Sequence, residues 1–471
     1  MKNKTQLIIA CLSCCCFATM LSCSDSDNGT VDLTLEEPEK VEADTTENYT
    51  TFNFNHPCAM WSQADFDRVK NALDNGTAAA EVQAEFEALK KNKYALLTYS
   101  PSPQKEIVRG DATGTETGYQ NYATAMRDAA AAYQTSLLWK LTGDDQYAVK
   151  ATEILRGWAN TCVRITSNDA NQVLAAGAQG YTFACAAENM YGYTGWSSKD
   201  RALFNEWMIN VFASSNRSFL DTHTGDNVCS EHYWSNWDLV NMTSYLAIGI
   251  LTENSDMVNY VIDYFYSGAG NGCINNLIRG FHTDPLGTGE TIAQNQESGR
   301  DQGHAQMSAM VAANLCQIAY TLYTQNPSAG KLDFFAANNN AILQLGEYVA
   351  LSNLKSGTDS KNSTGSWLIA ANKMPFNTFE YCQPGCGCKN QSHGAVHTQL
   401  ADDNGRGSCR PGWEIYYNHY ARIKGLSDGF TYVKMFADKI RPEKGAGDTE
   451  RYGDNSGAFD QLGWATLMLY E

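Results

Sequence analysis

Glu231-His232-Tyr233-Trp234-Ser235-Asn236-Trp237-Asp238 packs an imidazole, a phenol, an amide, two carboxylates and two indoles into consecutive positions. Few structural needs explain that mixture. If a helix starts near Trp234, the residues just ahead of it sit beside unpaired backbone N–H groups and a positive dipole end, where a carboxylate is well held. The plainer alternative makes Trp234 and Trp237 core residues and His232 a hydrogen-bonded cap. A second string, Glu297-Ser298-Gly299-Arg300-Asp301-Gln302-Gly303-His304, closes a glycine-rich stretch where another helix begins. Arg300 and His304 lie four apart and share a face of that helix. A guanidinium matches a planar carboxylate, and a histidine one turn along is placed to move a proton. Its plainer alternative is a salt-bridge network, with Glu297 and Asp301 pairing Arg300 at a helix start.

Together these groups suit proton abstraction next to a carboxylate. In a uronic-acid polymer the C5 hydrogen is acidic only when the neighbouring carboxylate is neutralised, so that enolate-like charge can develop. Such a site needs a cation or donor on the carboxylate, a base near C5 and an acid near the leaving O4. Arg300, helped by Glu231 and Asn236, fits the first role, His232 or His304 the second, and Tyr233 the third. Trp234, Trp237 and Glu297 are expected to line the substrate. A third stretch, Arg410 to Tyr420, adds Trp413 and Tyr417 as aromatic platforms, although Tyr416, Tyr417 and Tyr420 at helical spacing read equally as core. His393 and His397, four apart, are too few ligands to define a metal site. No cofactor is expected for the chemistry, and a structural divalent metal stays open.

Helices must position these groups. Ser62 with Asp65 is a helix start, Phe66, Val69 and Leu73 share a face, and Gly76 is a stop. Ala125 to Leu141 is an alanine-rich helix, Gly143-Asp144 turns, and Tyr147, Ala151, Ile154, Leu155 and Trp158 recur at helical spacing. Further helices are expected at 170–191, 198–213, 234–251, 257–266, 301–323, 334–351, 414–424, 431–440 and 458–470. Repeated antiparallel pairs predict an all-α fold, an incomplete (α/α) toroid or barrel of about six to seven helical hairpins in a single large domain. Two irregular stretches, Ser267 to Arg300 and Lys355 to Pro411, are rich in Gly, Asn, His and Arg and suit the walls of a site.

Lys2 and Lys4 precede an apolar run ending in Leu21-Ser22-Cys23, which reads as a lipoprotein signal peptide over 1–22 with Cys23 lipidated. Asp25 and Asp27 resemble the signal that sends lipoproteins of Bacteroidetes to the cell surface. Residues 23–50 form an anchored linker and 51–471 the folded domain, so the chain is expected to be exported and held at the outer membrane by lipid. Of fifteen cysteines, ten remain once Cys11, Cys14, Cys15, Cys16 and Cys23 are set aside. An even number in an exported protein permits disulfides, with Cys382, Cys386, Cys388 and Cys409 suited to stapling a loop. A net charge of −18 excludes nucleic acid as a partner and excludes long-range steering of a polyanion, so a uronate must be held by cations gathered locally.

At these residues the chain resembles bacterial alginate-lyase-like proteins of the α/α-toroid type, including the alginate- and glucuronan-active polysaccharide lyase family 38. The resemblance rests on His56-Pro57 with Asp65 to Leu73, Leu141-Thr142-Gly143-Asp144, Ala175-Ala176-Gly177 with Gly180-Tyr181, and the three clusters above. It implies β-elimination of a uronate polymer to 4,5-unsaturated products. Such lyases use an Asn-His or similar pair followed by Tyr-Trp, an arginine, and a tyrosine acting as base, acid or both. His232 matches the histidine, Glu231 stands where the Asn would, Arg300 corresponds to the arginine, and His304 falls near the place of the tyrosine. The base is therefore His304, His232 or Tyr233. Two rivals remain: a surface glycan-binding lipoprotein of SusD-like type, which needs platforms but no proton-transfer groups, and an α/α-barrel glycoside hydrolase, which would use Asp238 with Asp301 or Glu297.

Overall fold

Ser62 opens the first helix as its spacing to Asp65 requires: each side chain accepts from the other residue's backbone N–H, a reciprocal capping box, and Gly76 follows the end at φ +66°. The computed structural model describes residues 50–224, 230–381, 395–402 and 405–471. The expected leader and spacer with Cys23, His393 and the cysteines at 229, 382, 386 and 388 lie outside the described residues. Among the described residues no helix is long and apolar enough to cross a membrane.

The helices in chain order are α1 (Gln63–Asp74), α2 (Ala80–Lys91), α3 (Tyr122–Thr142), α4 (Asp145–Thr161), α5 (Gln172–Asn189), α6 (Ser198–Trp207), α7 (Ser214–Thr222), α8 (Ser235–Leu251), α9 (Ser255–Ser267), α10 (Ile274–Leu277), α11 (Gln302–Gln325), α12 (Ala337–Asn353), α13 (Trp413–Tyr417), α14 (Thr431–Ile440), α15 (Thr449–Tyr452) and α16 (Ala465–Leu469). A π-helical turn, Met208–Ala213, joins α6 to α7, and another, Asn418–Ile423, extends α13.

Most neighbours in space are near in chain order, while the C-terminal α16 returns to pack on α1 and α2. α3 packs on α4 and α5, α5 on α8, α8 on α9 and α11, and α12 on α11 and α14. The inner members are buried nearly all round: of the 17 residues of α8, every one but Trp237 is buried. Outer members such as α4 and α9 bury one face only, the expected division between an inner and an outer layer. The α5–α8 seam is close because α5 carries Gly177 and Gly180, where a Cβ would stand 2.5 Å from Val240 Cγ2 and 2.1 Å from Ser244 Oγ. The fold is thus mostly helical, a row of hairpins in an α/α-toroid arrangement without barrel closure.

Among the described residues three small sheets interrupt the helices: β1 (Glu106–Val108) pairs parallel with β2 (Arg164–Thr166), β3 (Ile278–Thr283) antiparallel with β4 (Thr291–Asn295), and β5 (Phe379–Tyr381) antiparallel with β6 (Ala395–His397). The last two belong to the two irregular stretches, which therefore carry structure.

Two expectations are corrected. The helix expected over 458–470 is reduced to a 3₁₀ turn at Ser456–Ala458 and the short α16, because Gly463 and Trp464 take positive φ values of +70° and +65°. All six described cysteines, Cys58, Cys162, Cys185, Cys273, Cys316 and Cys409, are buried free thiols, so Cys409 staples nothing.

Candidate active site

Two helix N-termini meet at the site, and one carboxylate joins them. Trp234 is the N-cap residue of α8 and Asp301 that of α11. Glu297, fully buried, lies between: its Oε1 accepts from the Asn236 N–H (2.9 Å), Ser235 Oγ (3.2 Å) and Ser308 Oγ (2.9 Å), and its Oε2 from Arg300 Nη1 (3.0 Å). The positive end of α8 therefore holds a carboxylate, as its position predicts, but that carboxylate is the protein's own. Glu297 is thereby a positioning residue for Arg300, not a contact for substrate.

Arg300 spreads its guanidinium 5.0 Å from the Trp234 ring, with Nε 3.5 Å from Asp301 and Nη2 3.4 Å from His304 Nε2. The His304 Nδ1 pairs with Asp301 Oδ2 at 2.7 Å, while Asp301 Oδ1 accepts the His304 backbone N–H at 2.8 Å. A guanidinium can only donate and a carboxylate only accepts. Nδ1 therefore carries the hydrogen, and the Nε2 lone pair accepts from Arg300 Nη2. Burial raises the Asp301 pKa, and the side-chain and backbone hydrogen bonds from His304 with the charge of Arg300 outweigh it, leaving the carboxyl below its ordinary value. Arg300 and His304 keep 26% and 40% of their side chains exposed, so the pair can be reached from solvent.

The Glu231–Asp238 string divides. Glu231 and His232 are half-buried on a 3₁₀ turn, Ser230–His232, and Asn271 Nδ2 holds the turn by the carbonyls of Glu231 (3.1 Å) and Tyr233 (2.8 Å). Tyr233 packs its ring against Trp237 (4.7 Å) and Phe219 (5.2 Å), and its hydroxyl meets Thr224 Oγ1 at 2.5 Å. Asn236 is buried with Oδ1 lacking a donor. Asp238 is fully buried, accepting from Tyr264 Oη (2.7 Å) and the Gly272 N–H (3.1 Å) and lying 2.9 Å from His223 Nε2. It shapes the floor and does not face a substrate.

Of the third stretch, Arg410 reaches the second string, its Nε donating to the Gly303 carbonyl at 3.2 Å, but the two expected platforms do not join the site. Trp413 is fully buried and stacked on Phe436 at 4.3 Å, so it is a core residue and cannot serve as a sugar platform. Tyr417 faces Phe430, Lys434 and Arg441.

Two groups that the sequence reading did not assign come to the site. His397, on β6, sets its ring 5.6 Å from Trp234 and 5.1 Å from Phe379, and burial, opposed by the Gly299 backbone, leaves its pKa below the ordinary value. Its approach requires Gly299, where a Cβ would lie 2.5 Å from the His397 Cβ. Gly299, Arg300, His397 and Asp402 line an open cleft of about 450 Å³. Arg279, on β3, donates to Asn271 Oδ1 at 2.6 Å, and its guanidinium lies 5.4 Å from Phe379. Burial lowers its pKa against the opposing charge of Glu231, which places that carboxylate nearby. A stretch rich in glycine and asparagine with one arginine ahead of Arg300 was the available signal for Arg279, and it carries no spacing rule.

Residues 61–279 match the alginate lyase family model. The match takes in the Glu231–Asp238 string and Arg279 and ends before Glu297. No curated protein matches the chain. Solved structures similar to it include alginate lyase A1-III from Sphingomonas species A1, at 15% identity over 63% of this chain and 81% of that one, with a TM-score of 0.43. A variant of that enzyme complexed with a tetrasaccharide gives 14% identity over 88% and 99% of the two chains at a TM-score of 0.49. An alginate lyase from Bacteroides ovatus gives 11% over 82% and 98% at 0.47. Over residues 61–279, just under half of the chain, the sequence is thus similar to the alginate lyase family, on a mostly helical fold.

Proposed function

We propose that the protein is a polysaccharide lyase that cleaves a uronic-acid polymer, alginate or glucuronan, by β-elimination. The observation that carries this reading is the Asp301–His304–Arg300 arrangement, in which an imidazole lone pair and a guanidinium are held side by side and partly exposed. Arg300, with Arg279 as a second cation, neutralises the uronate carboxylate. His304 Nε2 takes the C5 proton, the C4–C5 double bond forms as the C4–O4 bond breaks, and the leaving oxygen is protonated by His232 from the turn preceding α8. Tyr233 suits that last role less well, because its ring is packed and its hydroxyl is held by Thr224. Trp234 presents an indole face beside Arg300 for the sugar ring.

The hydrolase alternative asks two carboxylates to flank a glycosidic bond. Glu297 and Asp238 are both fully buried and committed to internal hydrogen bonds, which disfavours it. A pure glycan binder has no use for a base oriented by Asp301. The test is appearance of the 4,5-unsaturated uronate chromophore on incubating the mature protein with alginate, glucuronan or a neutral glycan. A rise on one uronate polymer identifies both reaction and substrate, and binding without a rise on any would overturn the enzyme reading.

We propose further that residues 1–22 are a lipoprotein leader, that the activity lies outside the cytoplasm and that the mature chain is anchored through Cys23, a reading supported by Lys2, Lys4 and the apolar run ending in Leu21-Ser22-Cys23. Replacement of Cys23 by Ser should release the protein from the membrane fraction; unchanged membrane association would contradict the anchor.

A further inference from the structure

The chain enters its folded part along helix ends. The Phe52 N–H donates to Ser255 Oγ (3.0 Å) and the Asn53 N–H to Asn326 Oδ1 (2.8 Å), which lays this segment across the starts and ends of α9 and α11. His56 and Cys58 follow, and opposite them stands Glu188 from the last turn of α5. His56 Nδ1, Cys58 Sγ and one Glu188 carboxylate oxygen all lie within 4.8 Å of one another.

The individual distances make this more than a chance gathering. Nδ1 is 2.8 Å from Glu188 Oε1 and 3.7 Å from Cys58 Sγ. A tetrahedral zinc with ordinary bond lengths separates a nitrogen from a sulfur ligand by about 3.5 Å and a nitrogen from an oxygen ligand by about 3.4 Å. The Cys58 spacing is close to that value, and the Glu188 oxygen reaches its own by a small turn of the carboxylate. Glu188 Oε1 is buried and lies 2.8 Å from Nδ1, with a poor angle for a donated hydrogen. Glu188 Oε2 is separately fixed by the Cys58 N–H at 2.8 Å, which leaves Oε1 as the oxygen to offer.

The outer shell is also in place. His56 Nε2 lies 3.2 Å from Glu253 Oε1, just beyond the end of α8, and Tyr191 stacks on the ring at 3.9 Å. A histidine that binds metal through one nitrogen characteristically donates its other N–H to a carboxylate, which fixes the ring and strengthens the ligand. Thiolate, imidazole and carboxylate together suit zinc among the available divalent ions.

We propose that His56, Cys58 and Glu188 bind a zinc ion, with Glu253 orienting His56, and that this ion ties the N-terminal segment to α5 and α8. A fourth position is left for water or another ligand. The competing arrangement is an imidazolium bridging Glu188 and Glu253, with Cys58 an inert thiol.

The full mature chain, purified without chelator, should carry one zinc per chain by elemental analysis. After zinc is removed, added Co²⁺ should give a thiolate-to-cobalt charge-transfer band with tetrahedral ligand-field absorption. Cys58→Ser should abolish that band, Cys162→Ser should keep it, and Glu253→Gln should weaken cobalt affinity by about 10- to 100-fold. Zinc removal should also lower the Tm of the wild type and leave that of Cys58→Ser unchanged. A wild type that neither retains zinc nor develops the cobalt band would overturn the proposal, as would a band that survives in Cys58→Ser.

Discussion

The account stands or falls first on single side chains around Arg300. His304→Ala should lower kcat by about 100- to 10,000-fold, the range of one positioned proton-transfer group, with the helix content unchanged in circular dichroism. Asp301→Asn is the finer test. Its amide can turn a donor toward Nδ1, which would place the hydrogen on Nε2 and remove the lone pair that faces C5. A loss in kcat with little change in KM is expected, and equal losses in both would point to a general collapse of the cleft instead. Arg279→Gln keeps a donor for Asn271 but removes the charge, so it should raise KM for a uronate polymer. At this scale the sequence was informative in bringing Arg300 and His304 together, although not on one helix face: Arg300 lies ahead of Asp301, the N-cap of α11, and folds back to 3.4 Å from His304. The sequence was silent where the chain doubles back: Arg279 and His397 reach the site through β3 and β6, and Glu297 was read as a substrate contact because its burial between two helix starts depends on how those helices meet.

Among elements, the α5–α8 seam and the C-terminal cap each make a separate prediction. Gly177→Ala places a methyl against Val240 and should cost about 1–3 kcal/mol in urea unfolding, as overpacking of a close seam does. At the C-terminal end three buried carboxylates gather. Glu443 accepts from the Gly412 and Glu414 N–H groups, Glu414 pairs with Arg441 at 2.8 Å, and Glu85 accepts from the Lys444 and Leu467 N–H groups. Burial, with the charge of Glu414, pushes the Glu443 carboxyl up to about 7. A carboxyl with a raised folded pKa binds more protons folded than unfolded, so its contribution falls as pH rises from about 4.5 through about 7. Unfolding midpoints should therefore decline over that window, and Glu443→Gln should flatten the decline; an unchanged slope would contradict the assignment. Helix starts were legible in the sequence because caps are local, as Ser62 with Asp65 shows. The end of the chain was not, because Trp464 adopts a positive φ that its residue type gives no reason to expect.

For the molecule as a whole, a net charge of −18 sets the protein against its own proposed substrate. Raising ionic strength from about 0.01 to 0.15 M should increase kcat/KM on a uronate polymer, because screening relieves long-range repulsion more than it weakens the half-buried Arg300 contact. A steady fall with salt would mean that the cleft cations govern encounter. The helical class and the pairing of neighbours were readable from periodicity and turn residues. The enclosing of Trp413 was not, since Tyr416, Tyr417 and Tyr420 at helical spacing serve a core and a sugar platform equally well. The central claim is the chemistry, and its most direct measurement is the product formed by the wild type and by His304→Ala on alginate and on glucuronan, read by ultraviolet absorbance and by mass. The account predicts unsaturated ends from the wild type on at least one of them, lighter by one water than hydrolytic products, and almost none from a His304→Ala protein that still binds. Products with saturated non-reducing ends that carry an added water, or full activity in His304→Ala, would contradict it.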